Sequence, residues 1–168
     1  MRKIHFLLFA FLVLFFSQCA KKGRPGGGPK DEDAPLFVTA NPPYESTNFD
    51  KNEINIYFNE YIKLKDLNKQ LIISPPLNPA NPSLISPQGS PSKFINIKIL
   101  DTLKENSTYI FDFGNSVQDN NESNVLERFK YVFSTGTYID SLTLEGNVKN
   151  AFKSDDLKNI KLLLYRLD

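Results

Sequence analysis

The sequence predicts an all-β protein whose folded part is an antiparallel β-sandwich. Apolar residues recur with a period of two, and turn-forming residues separate these short runs over about 100 residues. A single cysteine leaves no disulfide framework. Because alternate side chains of a strand point to opposite faces, each run buries one face and exposes the other. The fold must therefore depend on its apolar core.

The predicted elements follow one another from Leu36 onward. Strands are expected at Leu36 to Ala40 and at Gln70 to Ser74, with short helices near Leu64 to Lys69 and Asp101 to Glu105. Five runs alternate most clearly, and in each of them the apolar residues share one face of the strand. These sets are Ile54, Ile56 and Phe58; Ile95, Ile97 and Ile99; Tyr109, Phe111 and Phe113; Phe129, Tyr131 and Phe133; and Leu142, Leu144 and Val148. The proline-rich segment Pro75 to Pro91 is predicted to be a surface excursion, because proline donates no ladder hydrogen bond.

Residues 1–18 are typical of a secretory signal peptide. Arg2 and Lys3 supply positive charge, and the apolar run Phe6 to Phe16 follows. This run is shorter than the ~20 apolar residues that a membrane-spanning helix needs. Its length suits the apolar region of a cleavable signal.

Cys19 follows the apolar run directly and resembles the lipid-bearing cysteine of a bacterial lipoprotein. The resemblance implies acyl chains such as palmitate on Cys19, in the cell envelope of a Gram-negative bacterium, on an outer membrane that faces the periplasm or the surface. Phe16 and Gln18 depart from the usual Leu and small residue of that motif. The alternative is an ordinary secretory signal with an incidental cysteine. Each buried lipid methylene contributes about 0.8 kcal/mol, so several acyl chains would hold the protein firmly.

Residues 19–35 are predicted to be a lipidated flexible tether. Glycine, proline and charged residues dominate this stretch and cannot bury enough apolar surface to fold. A flexible chain of this length spans about 20–25 Å on average. The folded part should therefore lie close to the membrane that holds the anchor.

The composition argues against several functional classes. The net charge is +1 without a clustered basic patch, so no nucleic acid partner is expected. The only histidine, His5, lies in the predicted signal, which leaves no histidine for a Ser-His-Asp triad. No cofactor motif is present, so we expect neither a cofactor nor enzymatic activity. A paired-carboxylate role for Glu60 in glycoside hydrolysis is less favoured than that of a hydrogen-bonding carboxylate at a strand end.

Asp119, Asn121 and Ser123 are the weak candidates for a metal site. Their oxygens would suit Ca²⁺, which takes 6–8 oxygen ligands. An EF-hand loop would have Gly and Glu where Asn124 and Lys130 stand. A hairpin turn is the favoured interpretation, because Asn and Asp tolerate left-handed backbone and cap themselves. No metal is therefore expected.

Two tripeptides resemble an O-glycosylation motif of some Gram-negative envelopes. They are Asp101-Thr102-Leu103 and Asp140-Ser141-Leu142. Such short motifs recur by chance, so the sequence leaves glycosylation at Thr102 and Ser141 open.

Residues 36–138 resemble a bacterial immunoglobulin-like (Ig-like) domain of the S-layer-protein type. The motifs that carry the resemblance are Asn41-Pro42-Pro43, Ile54 to Glu60, Leu103 to Tyr109, Asp119 to Asn124 and Phe133 to Gly136, with Gly27 to Asp31 matching the tether of similar lipoproteins. The resemblance implies an Ig-like sandwich that serves as a binding or spacer module. It also implies that Tyr109 forms a tyrosine corner, in which the hydroxyl bonds to nearby backbone.

Residues 139–168 are predicted to form a β-hairpin. Its strands would be 141–149 and 160–167, and Gly146 to Tyr165 resembles the start of a carboxypeptidase-regulatory-type β-sandwich. We expect this segment either to begin a second, truncated sandwich or to form an edge of the first.

The favoured function is non-enzymatic binding, adhesion or scaffolding by a lipid-anchored module, with an envelope protein or glycan as partner. The alternative is a carbohydrate-binding accessory module of an envelope uptake system. Carbohydrate sites usually need exposed aromatic rings, and the chain has no Trp. Exposed Tyr44, Tyr57 or Tyr61 clustered on one side would favour this alternative.

Overall fold

A computed structural model describes residues 28–141 and 146–149. The chain divides into two units, Met1–Asp33 and Ala34–Asp168. In the first unit, residues 28–33 are exposed and form neither helix nor strand. The tether of residues 19–35 stays a prediction. No helix in the described residues is long and apolar enough to span a membrane.

All described strands lie in the second unit. They are β1 (Phe37–Asn41), β2 (Glu53–Leu64), β3 (Ile72–Ser74), β4 (Leu84–Ser86), β5 (Ser92–Lys98), β6 (Thr108–Gly114), β7 (Val117–Asp119) and β8 (Phe129–Ser134). One short helix, α1 (Leu67–Gln70), precedes β3. The predicted all-β class is therefore confirmed.

The strands form two antiparallel sheets. Sheet A has the order β1-β2-β5-β4, with β7 also pairing with the far end of β2, and sheet B has the order β3-β6-β8. In Ig nomenclature these are the orders A-B-E-D and C-F-G of a constant-type domain. The predicted Ig-like sandwich is thus the observed architecture.

The core lies between the sheets and consists of the predicted inward faces. In β2, Ile54, Ile56 and Phe58 are buried, whereas Tyr57 between them is exposed. The same alternation buries Tyr109, Phe111 and Phe113 in β6 and Tyr131 and Phe133 in β8. Each fully buried large apolar side chain contributes about 1.5–3 kcal/mol, so these strands supply a large part of the apolar core.

Phe133 is the centre of the aromatic part of the core. Its ring lies 4.0 Å from Phe49 and 5.5 Å from Tyr109, measured between ring centroids. Tyr131 packs on it at 6.2 Å and donates its hydroxyl to the carbonyl of Pro42 at 2.7 Å. Burial raises the pKa of Tyr131 to about 12, so its hydroxyl stays protonated as a hydrogen-bond donor.

The sheet edges are short, bulged or covered. In β1, Phe37 pairs with Phe58 and Thr39 with Tyr57, which leaves Val38 as an exposed bulge residue. The edge of β8 is covered by residues 45–49, which exchange backbone hydrogen bonds with residues 132–136. Such devices keep open strand edges from pairing with other chains.

Several predicted boundaries were wrong. Asp101 to Glu105 forms no helix, and Gln70 belongs to α1 instead of β3. The Pro75 to Pro91 excursion contains the edge strand β4, whose three residues are short enough to fit between prolines. Glu60 lies inside the long strand β2, not at its end, because β2 continues past Tyr61 to pair with β7.

The predicted hairpin of residues 139–168 lies largely outside the described residues. Ser141 and residues 146–149 are described, and they form no strand there. Val148, which was predicted to point inward, is exposed. The resemblance to a second sandwich stays a prediction.

Candidate functional site

The outer face of sheet A presents exposed aromatic rings. Tyr57 of β2 and Phe94 of β5 are 39% and 42% exposed, and their ring centroids lie 5.8 Å apart. They meet because the register of the two strands places them directly opposite each other. Tyr61, further along β2, is 56% exposed, and the Lys93 ammonium lies 5.4 Å from its ring centroid. These four side chains and their neighbours on the same face are called the aromatic face below.

Amide side chains border the aromatic pair. The register aligns Asn41 of β1, Asn55 of β2 and Asn96 of β5 in one row across the sheet. The Asn96 amide nitrogen donates to the Asn55 side-chain oxygen at 2.8 Å and to the Glu53 carboxylate at 2.5 Å. These bonds fix the orientation of two amides beside the rings.

The weak candidates for a metal site, Asp119, Asn121 and Ser123, lie in a hydrogen-bonded turn. The Asp119 carboxylate is 1% exposed and accepts backbone N–H groups from Asn121 at 2.6 Å, Glu122 at 2.7 Å and Asn124 at 2.6 Å. Burial by itself raises the pKa of this carboxyl, but the backbone donors outweigh it and hold the pKa below the ordinary 3.8. The carboxylate oxygens therefore already have partners from the protein backbone.

A lysine ammonium also contacts this turn. The Lys63 ammonium donates to the Ser123 hydroxyl at 2.9 Å and to the Asn120 carbonyl at 3.2 Å. Ser123, with φ of 70°, is the left-handed residue of the turn. Within the described residues no cluster of three or more His, Cys, Asp or Glu side chains is arranged to hold a metal ion. The geometry supports the turn over calcium.

The tyrosine corner that the resemblance implied is confirmed. The Tyr109 hydroxyl accepts the backbone N–H of Lys104 at 2.9 Å. Thr135, after β8, holds the same turn from the other side: its hydroxyl accepts the Ser107 N–H at 3.0 Å and donates to the Lys104 carbonyl at 2.7 Å. The two motifs Leu103 to Tyr109 and Phe133 to Gly136 are thus bonded to each other.

A family model described as bacterial Ig-like domain matches residues 31–135. The match covers most of the chain and spans every described strand. The chain belongs to this family. Bacterial Ig-like domains are generally non-catalytic and are typically extracellular or associated with the cell envelope. No match was found among curated proteins.

Within this Ig-like domain, sequence reasoning found part of the aromatic face. Tyr57 and Tyr61 share one face of β2 as the alternation requires, but Tyr44 packs on Phe37 and Tyr131, each at 6.2 Å, and lies elsewhere. Phe94 was missed. The alternation in β5 could have identified it, because Phe94 lies two residues before Asn96 and therefore points away from the buried isoleucines of this strand.

The remaining predicted sites are accessible or lie outside the described residues. Cys19 and the signal segment fall outside them. Thr102 is exposed, and the neighbouring Asp101 carboxylate accepts the backbone N–H of Asn78 at 2.7 Å and of Thr102 itself at 2.9 Å. Ser141 is also exposed. Thr102 and Ser141 are therefore both accessible, and glycosylation at each stays a prediction.

Proposed function

We propose that this chain is a lipid-anchored, non-enzymatic envelope lipoprotein whose Ig-like domain acts as a binding, adhesion or scaffolding module. The observation that carries the proposal is the arrangement along the chain. Cys19 follows a signal-like apolar run, a glycine- and proline-rich segment comes next, and the Ig-like domain occupies residues 31–135. A folded module on a flexible tether can reach partners near a membrane while it stays attached.

The domain itself supports a binding role in preference to a catalytic one. The candidate carboxylate Asp119 is occupied by backbone donors, and the Tyr109 hydroxyl accepts a backbone N–H. Among the exposed large apolar side chains, the rings of Tyr57, Phe94 and Tyr61 share the outer face of sheet A. Exposed apolar clusters of this kind mark sites of interaction.

The anchor is tested by metabolic labelling with a palmitate analogue. Wild type should incorporate the label and sediment with membranes. Cys19→Ala should incorporate none, and it should either be released from membranes or keep its uncleaved signal. Ser17→Ala is the matched control, because it changes a neighbouring residue and leaves the thiol. Equal labelling of wild type and Cys19→Ala would refute the lipid anchor.

A second candidate function is a carbohydrate-binding accessory module of an envelope uptake system. The pairing of Tyr57 with Phe94 on an exposed strand face favours it. Both candidates share the anchored Ig-like module and differ in what the aromatic face contacts.

A further inference from the structure

The two outer faces of the sandwich differ in their apolar surface. On sheet B, the outward positions of the three strands carry the half-buried aliphatic residues Ile72, Ile110 and Val132. No exposed large apolar side chain lies on the described strands of sheet B, whereas sheet A exposes Tyr57, Tyr61, Leu84 and Phe94 on its outer face. This difference makes the outer face of sheet A the candidate interaction surface.

The surroundings of the rings restrict the chemistry of that partner. Thr39 lies opposite Tyr57 in the register, and Asn55 and Asn96 form the next row. Rings bordered directly by hydroxyl and amide groups match a ligand that has both apolar C–H faces and many hydroxyls. The core of a protein–protein interface, by contrast, is usually more apolar than its surroundings.

The charged side chains named on this face, Glu53, Lys98 and Lys93, lie towards its two ends. Lys98 lies opposite Glu53 in the register of β2 and β5, and opposite charges at such positions attract each other. Lys93 is placed over the ring of Tyr61, where the ring's electron-rich surface stabilises the cation. The centre between these charges carries only uncharged side chains. A ligand that lies across this centre meets only uncharged side chains, which suits a neutral ligand.

We propose that the aromatic face binds a neutral glycan. Tyr57 and Phe94 form the stacking platform, Tyr61 extends it along β2, and Asn55 and Asn96 supply hydrogen bonds to sugar hydroxyls. Four residues along an extended strand cover about 13 Å, so the platform suits several consecutive sugars of a chain. The inference rests on the proposed function, because it names the ligand class of the anchored binding module.

The test measures retention of the full chain, purified in mild detergent, on resins that carry β-glucan, α-glucan, mannan or an acidic polysaccharide. Retention on at least one neutral resin, released by the same polysaccharide in solution and unchanged at high salt, is the expected result. Salt insensitivity is expected because screening weakens interactions between exposed charges and leaves neutral contacts intact.

Variants locate the site. Tyr57→Ala combined with Phe94→Ala should weaken retention by about tenfold or more, as truncation of central aromatic anchors does. Tyr138→Ala is the matched control, because Tyr138 is an exposed tyrosine outside sheet A, and it should bind like wild type. Tyr57→Phe keeps the ring and should also bind like wild type. Melting curves of each variant show that it is folded, and Tyr61→Ala provides a milder change on the same face.

Three results would overturn the proposal. They are absence of retention on all neutral resins, retention that high salt abolishes, and self-association of the chain that the double variant abolishes, since a second copy would then occupy the face. These results leave the proposed anchor untouched, because palmitate labelling at Cys19 is measured separately. A failed labelling experiment would equally leave glycan retention by the domain intact.

Discussion

Replacing Asp119 with asparagine should destabilise the domain strongly, although no ligand is involved. The carboxylate accepts backbone N–H groups from Asn121, Glu122 and Asn124 at 2.6–2.7 Å. Asparagine keeps one acceptor oxygen and places an amide N–H₂ where the second oxygen stood, so one backbone donor would face another donor. A hydrogen bond to a charged group contributes about 1.5–3 kcal/mol, which is similar to the ~1–3 kcal/mol that a buried donor without a partner costs.

A loss of roughly 2–3 kcal/mol is therefore expected for Asp119→Asn, and more for Asp119→Ala, which removes both acceptors. For a domain of about 100 residues, 1 kcal/mol shifts Tm by ~4–8 °C. The expected decrease in Tm is then roughly 10–20 °C for Asp119→Asn. Urea denaturation measures the free energy directly. Asp140→Asn, at an exposed aspartate, serves as the matched control and should unfold like wild type.

The pH dependence of this effect has a definite sign. Burial raises the pKa of the Asp119 carboxyl by itself, but the backbone donors bring it below the ordinary 3.8. A carboxyl whose folded-state pKa is depressed stabilises the fold fully above its unfolded-state pKa, and the contribution is lost as the pH falls through the folded-state pKa. The difference in stability between wild type and Asp119→Asn should therefore be largest near neutral pH and should shrink below the ordinary pKa of 3.8.

Two results would refute this reasoning. One is an Asp119→Asn variant that is as stable as wild type at neutral pH. The other is a Tm of wild type that rises by several degrees in millimolar Ca²⁺ and does so no longer in the variant. A native-state ligand at a hundredfold excess over its Kd would add about 2.7 kcal/mol, so a calcium site would be easy to detect. The turn predicts no shift.

Two further predictions concern the corner and the boundary of the domain. Tyr109→Phe should cost about 1–3 kcal/mol, because it leaves the Lys104 N–H without its acceptor; thermal unfolding checks this, with Tyr138→Phe as the unaffected control. Limited proteolysis should cut near the exposed Thr137 and leave a fragment of residues 36–138 as stable as the full chain. If removal of the remaining residues unfolds that fragment, the segment 139–168 belongs to the first sandwich.

The sequence predicted best those strands that bury one face and leave the other more exposed to solvent. In β6 every second residue is buried, and in β2 the same holds from Ile54 to Phe58, so the apolar residues at these positions identify both the strand and its inward side. β7 gives no such signal. Its three residues, Val117 to Asp119, are all buried, and two of them are polar. Only the tertiary pairing with the far end of β2 makes this segment a strand.

The sequence predicts some of the residues of the aromatic face, but it does not predict how the strands bring them together. The parity of β2 places Tyr57 and Tyr61 on one face, yet nothing local to β2 says that β5 lies beside it with Phe94 opposite Tyr57. That neighbour depends on strand order, which brings together residues far apart in the chain. The Asp119 loop was predictable as a turn from its Asn and Asp residues, but the backbone placed Ser123 in the left-handed position.

The structure separates two roles within the family motifs. In Leu103 to Tyr109 and Phe133 to Gly136, the polar groups of Tyr109 and Thr135 bond backbone of the same turn, so these motifs hold the sandwich together. In β2, the inward isoleucines of the motif supply the core, whereas outward Tyr57 contributes little to it. Substitutions on the outward side of β2 and β5 should therefore change binding and spare folding. The glycan binding that we propose could then vary on the aromatic face while the corner and the core keep the fold.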